Sequence, residues 1–127
     1  ACLGAKLEII EPCGFLLNDK RFKRVVMDYM DKKHIKFFKS SDDFLKAKIG
    51  HRIVLMTTKA SISYTKFKFQ KYDTILFGRE SAGVPRSFHK IIKNQLKIPM
   101  KNNKRSLNVA SSVAIILAES LKQNQLI

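Results

Sequence analysis

Short apolar runs separated by helix-length stretches constrain this chain more than any other feature. Leu7–Ile10, Ile35–Phe38, Arg52–Thr57, Thr74–Phe77 and Leu96–Ile98 read as strands. Between them, Asn18 or Asp19 caps a basic helix over about Lys20–Tyr29. Ser40-Ser41-Asp42-Asp43 supplies N-cap chemistry for a helix to about Ile49, stopped by Gly50, and Pro85 stands near the start of a helix over about Arg86–Lys93. A long apolar helix over Val109–Leu121 closes the pattern. Strands alternating with helices of this length predict an α/β fold, a mainly parallel sheet with helices on both faces. Lys59–Lys71 has no firm period, although Phe67 and Phe69 alternate with lysines as on an edge strand.

Two segments carry chemistry. Phe77–Pro85, F-G-R-E-S-A-G-V-P, follows a buried-strand pattern and sets Gly78 and Gly83 around the charged pair Arg79-Glu80. Glycine permits close backbone approach and positive φ, so this is a shaped loop at a strand's carboxyl end, where open α/β sheets place their ligands. The second segment runs from Lys97-Ile98-Pro99-Met100 through a polar loop into R-S-L-N, Arg105–Asn108, at the head of the last helix. Ser106 and Asn108 sit where side chains or free backbone N–H groups meet a polar ligand; Ser106 reads equally as an N-cap. The last helix carries an apolar stripe too broad for one solvent-facing surface, which suits core alone or core plus a subunit interface.

The 127 residues suit one domain. With 45% hydrophobic and 28% charged residues the composition is globular, and no apolar run approaches a membrane span. Cys2 and Cys13 lack metal-ligand spacing and are too few for a secreted disulfide scaffold, so no metal and a reducing cytoplasm are expected. His34, His51 and His89 are scattered, each read as a surface or edge residue. No Walker A loop or G-x-G-x-x-G occurs, which disfavours a P-loop NTPase or an ordinary dinucleotide-binding domain. A net charge of +15 favours a polyanionic partner, because neutralised phosphates release counterions. A lysine-rich genomic bias would raise the same number. Clustering of Lys20, Arg21, Lys23 and Arg24, and of Lys101, Lys104 and Arg105, adds weight to nucleic acid.

Taken in order, I-I-E-P-C-G-F (Ile9–Phe15), D-K-R (Asp19–Arg21), L-M-T-T-K (Leu55–Lys59), L-F-G-R-E-S-A-G-V-P (Leu76–Pro85), I-P-M (Ile98–Met100) and R-S-L-N-V-A-S-S-V-A (Arg105–Ala114) resemble the SpoU branch of the SPOUT methyltransferases. Within it they are most similar to TrmL-like enzymes, which methylate the ribose 2′-OH of the tRNA wobble nucleotide. The resemblance implies a C-terminal deep trefoil knot, an exception to the rule of unknotted chains. It also implies a homodimer, and S-adenosylmethionine bound by Met56, Gly78, Ile98 and Ser106. Glu80, Ser106 and Asn108 match motif residues tied to cofactor placement or catalysis. Arg79 and Arg105 match phosphate clamps or loop ion pairs. Lys20, Arg21 and Arg24 would hold the anticodon-stem backbone of tRNA, and Tyr29 would stack or pack. The chemistry is in-line methyl transfer from a sulfonium to a ribose hydroxyl, which needs alignment and proton removal.

The family's N-x-G-N-x-x-R motif, with the arginine associated with hydroxyl activation, is expected before Ala1. The 1–127 chain is therefore read as a single methyltransferase domain lacking its first strand and part of its first helix. Ala118 stands where relatives carry a tyrosine. Competing readings are 2′-O-methylation at another tRNA or rRNA site, a catalytically silent knotted RNA-binding protein, and a basic DNA-binding α/β protein.

Overall fold

The computed structural model describes residues 1–11, 24, 34–79, 83–101 and 107–127. They fall into two compact units, Ala1–Ile49 and Gly50–Ile127. In the first, β1 (Leu7–Ile10) and β2 (Ile35–Phe38) pair in parallel, Leu7 opposite Ile35 and Ile10 opposite Phe38. Ser40 caps α1 (Ser41–Ala47), its hydroxyl accepting from the Asp43 N–H at 3.1 Å, with Asp42 and Asp43 in the first turn where the helix dipole favours negative charge. Phe44 from this helix is buried edge-on against Phe38, with ring centroids 5.4 Å apart. Lys48 reaches back to Glu8 at 2.7 Å. The helix ends two residues before the expected Ile49, where the Lys48 N–H closes on the Phe44 and Leu45 carbonyls.

The second unit is built on four parallel strands: β3 (Ile53–Met56), β4 (Ile62–Ser63), β5 (Thr74–Phe77) and β6 (Asn94–Lys97), in the order β4-β6-β3-β5. Val54, Leu55 and Met56 are all buried, and successive strand residues point to opposite faces, so β3 is covered on both sides. Its continuous apolar run explains the central place. Val54, Met56, Phe69, Leu96 and Ile116 form one core cluster, with Tyr64, Phe67, Ile75, Phe77 and Ile98 packed around it.

α2 (Arg86–Ile91) starts after Pro85, whose fixed φ suits a helix entry, and buries Phe88. α3 (Val109–Gln123) buries Ile116 completely, an apolar contribution of about 1.5–3 kcal/mol. Leu107 just before it and Ala110, Ala114, Ile115 and Ala118 along it remain exposed, so only part of the broad apolar stripe serves this core.

Three further expectations are corrected. β6 spans Asn94–Lys97, not Leu96–Ile98, because Val54 and Leu55 of β3 pair with Asn94 and Gln95. α2 ends at Ile91, two residues early, and the Ile92 N–H closes the last turn on Phe88 O at 2.9 Å. Phe67 and Phe69 do alternate inward, but on no ladder: a 3-10 turn at Tyr64–Lys66 follows β4. The backbone there pairs instead with side chains from the end of α3. Phe69 N–H donates to Gln123 Oε1 (2.8 Å), Gln123 Nε2 donates to Phe67 O (3.0 Å), and Asn124 Nδ2 donates to Phe69 O (3.3 Å).

Candidate active site

Parallel pairing brings the carboxyl ends of β3, β5 and β6 side by side, where their outgoing backbone leaves the ladder. A cleft of about 480 Å³ opens there, within the range of small-molecule sites. Met56 and Thr57 line it from the end of β3, Phe77 to Arg79 from the end of β5, and Ile98 and Met100 after β6. Gly83 and Val84 come from the loop before α2, and Leu107, Asn108, Val109 and Ser112 from the head of α3.

Gly78 shows how tightly this end is drawn. A Cβ there would sit 2.6 Å from Gly83 C, 2.7 Å from Val84 N and 2.8 Å from Gly83 Cα. The close approach anticipated at Gly78 is thus made first by the chain's own loop. Gly83 N–H bonds to Arg79 O at 2.9 Å, Arg79 and Gly83 form an isolated antiparallel bridge, and Gly83 takes φ +66, a region costly for side-chain-bearing residues. The loop returns on itself within a few residues and brings Val84 to the cleft.

The walls have two characters. Met56, Phe77 and Ile98 belong to or pack against the core cluster, and give a dry apolar lining. Polar groups stand at the edges. Thr57 N–H bonds Leu96 O at 2.9 Å, tying the ends of β3 and β6. Its hydroxyl lies 2.9 Å from His89 Nε2 on α2 and accepts from Lys59 N–H at 3.2 Å. Gln95 Nε2 in turn donates to the carbonyls of His89 (2.7 Å) and Ile92 (2.8 Å), which holds the last turn of α2 against β6. Arg79 is exposed at the rim.

Asn108 caps α3: its Oδ1 accepts from Ala110 N–H at 2.8 Å and from Ser111 N–H at 3.4 Å. The cleft therefore unites Met56, Gly78, Arg79, Ile98 and Asn108 of the residues singled out from sequence. Glu80, Arg105 and Ser106 lie outside the described residues, as do Lys20, Arg21, Tyr29, Cys13 and all of the basic helix except Arg24, which is helical and exposed. Sequence reading passed over Thr57 and took His89 for a surface or edge residue, whereas His89 is half-buried, with Nδ1 out of solvent and Nε2 on Thr57. Thr57 had a signal, as a polar residue directly after a fully buried strand; His89 had none, since only α2 packing on β3 gives it a partner. Among the described residues no group of His, Cys, Asp or Glu could hold a metal ion, and no helix is long and apolar enough to cross a membrane.

A family model described as the SpoU rRNA Methylase family matches residues 1–118. The chain is 43% identical over 126 residues to a tRNA (cytidine(34)-2'-O)-methyltransferase of Ancylobacter novellus, covering 97% of this chain and 79% of that protein. An equally named protein of Beijerinckia indica is also 43% identical, over 97% of this chain and 78% of that one. Among solved structures, one described as giving structural insights into the 2-OH methylation of C/U34 on tRNA superposes with a TM-score of 0.84 at 33% identity, over 94% of this chain and 79% of that chain.

Proposed function

The chain belongs to the SpoU rRNA Methylase family, and from that membership we propose that it methylates the ribose 2′-OH of the tRNA wobble nucleotide, with S-adenosylmethionine as methyl donor. The observation that carries the reading is the cleft itself. An apolar slot between strand ends, edged by backbone groups and a few side chains, fits a nucleoside-bearing donor in size and in chemistry. Position 34 as the target follows the names of relatives at 43% identity.

The residues present fit such a donor. Met56 and Ile98 would flank an adenine ring, while the backbone at Gly78 and Ser106 would offer donors and acceptors to its polar edges. When bound, the donor supplies an electrophilic methyl carbon on a sulfonium. The chain's part is to align the ribose hydroxyl, exclude water and take up the proton. Glu80, Ser106 and Asn108 are assigned to that work, Asn108 through the cap that fixes where α3 begins. Arg79 at the cleft rim, with Arg105, Lys20, Arg21 and Arg24, would neutralise tRNA phosphates, in keeping with the net charge of +15.

Two broader elements belong to the same reading. We assign the chain the deep trefoil knot of its family, with helices on both sheet faces; support comes from β6, the last strand in sequence, inserted between β3 and β4, which are consecutive. A homodimer would cover the exposed stripe of Leu107, Ala110, Ala114, Ile115 and Ala118. The deciding experiment is transfer of a labelled methyl group from S-adenosylmethionine to unmodified tRNA, followed by nucleoside mapping. Label at the wobble ribose is expected. Label only at a distant nucleotide overturns the site assignment, and donor that binds without any transfer favours the silent RNA-binding alternative.

A further inference from the structure

We propose that Thr57 is a ligand-binding residue of the cleft, presenting its hydroxyl proton to an acceptor atom of the donor's adenosine, and that His89 is the positioning residue that sets this polarity. The inference rests on the methyl-donor reading of the cleft.

The argument begins with the imidazole. His89 Nε2 lies 2.9 Å from Thr57 Oγ1, whereas Nδ1 is buried and has no hydrogen-bond partner among the described residues. A neutral imidazole carries its proton on one nitrogen or the other. With the proton on Nδ1, the side chain would bury an unmatched N–H; with it on Nε2, the unmatched group is a bare acceptor. Orphaned buried N–H groups are the rarer kind. The second tautomer therefore holds, and Nε2–H donates to Thr57.

That donation has a consequence at the cleft wall. Thr57 Oγ1 also accepts the Lys59 N–H at 3.2 Å. A hydroxyl has two acceptor lone pairs and one proton. Both lone pairs are taken by protein donors, so the proton is left for a third partner, and Thr57 lines the cleft. Its neighbours there are Met56, Phe77 and Ile98, which suit a flat ring. The acceptor accordingly belongs to the nucleoside half of the ligand and not to its amino-acid carboxylate. His89 itself does not line the cleft and acts only through Thr57.

The test is calorimetric titration of the whole chain with S-adenosylmethionine and, separately, with 5′-methylthioadenosine, which lacks the amino-acid carboxylate. Thr57→Val keeps the shape and removes the hydroxyl; it should weaken both ligands about three- to tenfold, the worth of one net hydrogen bond. Thr57→Ser should restore affinity. His89→Leu should weaken binding by a smaller factor, His89→Gln should recover most of it, and the Thr57→Val/His89→Leu double variant should bind no worse than Thr57→Val alone. Thermal melts taken alongside separate folding loss from binding loss, and Thr57→Ser guards against an unfolded valine variant. Thr57→Val binding both ligands as the wild type does, a loss confined to S-adenosylmethionine, or His89→Leu adding its full effect on top of Thr57→Val would each overturn the inference while the cleft reading stands. A wild type that binds neither ligand overturns both.

Discussion

Two connections flank β5, and they are held by opposite means. The one after it, Gly78 to Pro85, is drawn tight by backbone: Gly83 N–H to Arg79 O, an antiparallel bridge, and a main-chain approach at Gly78 that leaves no room for a Cβ. The one before it, Phe67 to Asp73, is held by side chains. Arg52 makes a bidentate pair with Asp73 (2.7 and 2.6 Å), donates to Lys68 O at 2.9 Å and stacks over the Phe67 ring at 4.7 Å. Asp73 also accepts from Gln70 N–H, while Gln123 and Asn124 bind the backbone of Phe67 and Phe69. The contrast teaches where the site can be. A loop closed by its own backbone leaves side chains at its edge for a ligand. A connector whose peptide groups are satisfied by side chains has those side chains committed to structure.

Breaking the backbone-held side should have the largest effect. Gly78→Ala forces a methyl into main-chain atoms that no rotamer change can move aside, and should cost about 3 kcal/mol or more with loss of donor binding. Thermal melts with parallel calorimetry check it; a variant as stable as wild type would mean the loop shifts freely and the tightness is not structural.

On the other side, Asp73→Ala removes the partner of Arg52 from a side chain only 2% exposed and should cost about 2–4 kcal/mol, reduced from a fully buried pair because Arg52 keeps 29% exposure. Donor affinity per folded molecule should be unchanged, and a specific binding defect would break the contrast. The Asp73 hydrogen bond, opposed by burial and aided by charge attraction, raises the Arg52 pKa above its ordinary value. A raised cation contributes stability below its unfolded pKa and loses it only as pH climbs past the folded one, so this pair adds no titration step below pH 12 from the arginine. The change in denaturant midpoint between pH 7 and pH 9 should be the same in wild type and in Arg52→Lys, whatever their difference at one pH.

Gln123→Ala deletes both bonds of one amide to the Phe67–Phe69 segment and should cost about 1–2 kcal/mol, read in urea melts. Proteolysis between β4 and β5 should quicken in step; protection equal to wild type would assign the anchoring to Asn124 instead. The smallest effect is expected at the cleft rim, where Asn108→Ala removes the cap of α3 for about 1 kcal/mol of stability. Its donor affinity should fall by more than its stability change explains, since α3's first turn lines the cleft. Equal losses would reduce Asn108 to a cap alone.

What could be read in advance followed physical locality. Val54, Leu55 and Met56 announce a doubly covered strand because three consecutive apolar side chains cannot all face water on a pleated sheet. Ser40 announces a helix start, because its hydroxyl meets an amide three residues on. Phe77–Gly83 announces a tight turn at a strand's end, because Gly83 takes φ +66 and Gly78 leaves no room for a Cβ. The Phe67–Phe69 segment misled for the same reason. Its alternation correctly placed both rings inward, but alternation says nothing of which groups satisfy the backbone, and those come from Gln123 and Asn124, more than fifty residues later in the chain.

Sequence alone thus determined the parallel α/β plan, the family motifs and the glycine-bounded turn after β5, since periodicity, capping and backbone freedom act within a few residues. Only the tertiary structure decided that Thr57 and His89 meet, that Gly78 faces its own loop, and that Asn108 caps α3. The first joins elements 32 residues apart; the other two are short-range, but which contact forms depends on fractions of an ångström that residue types alone do not set.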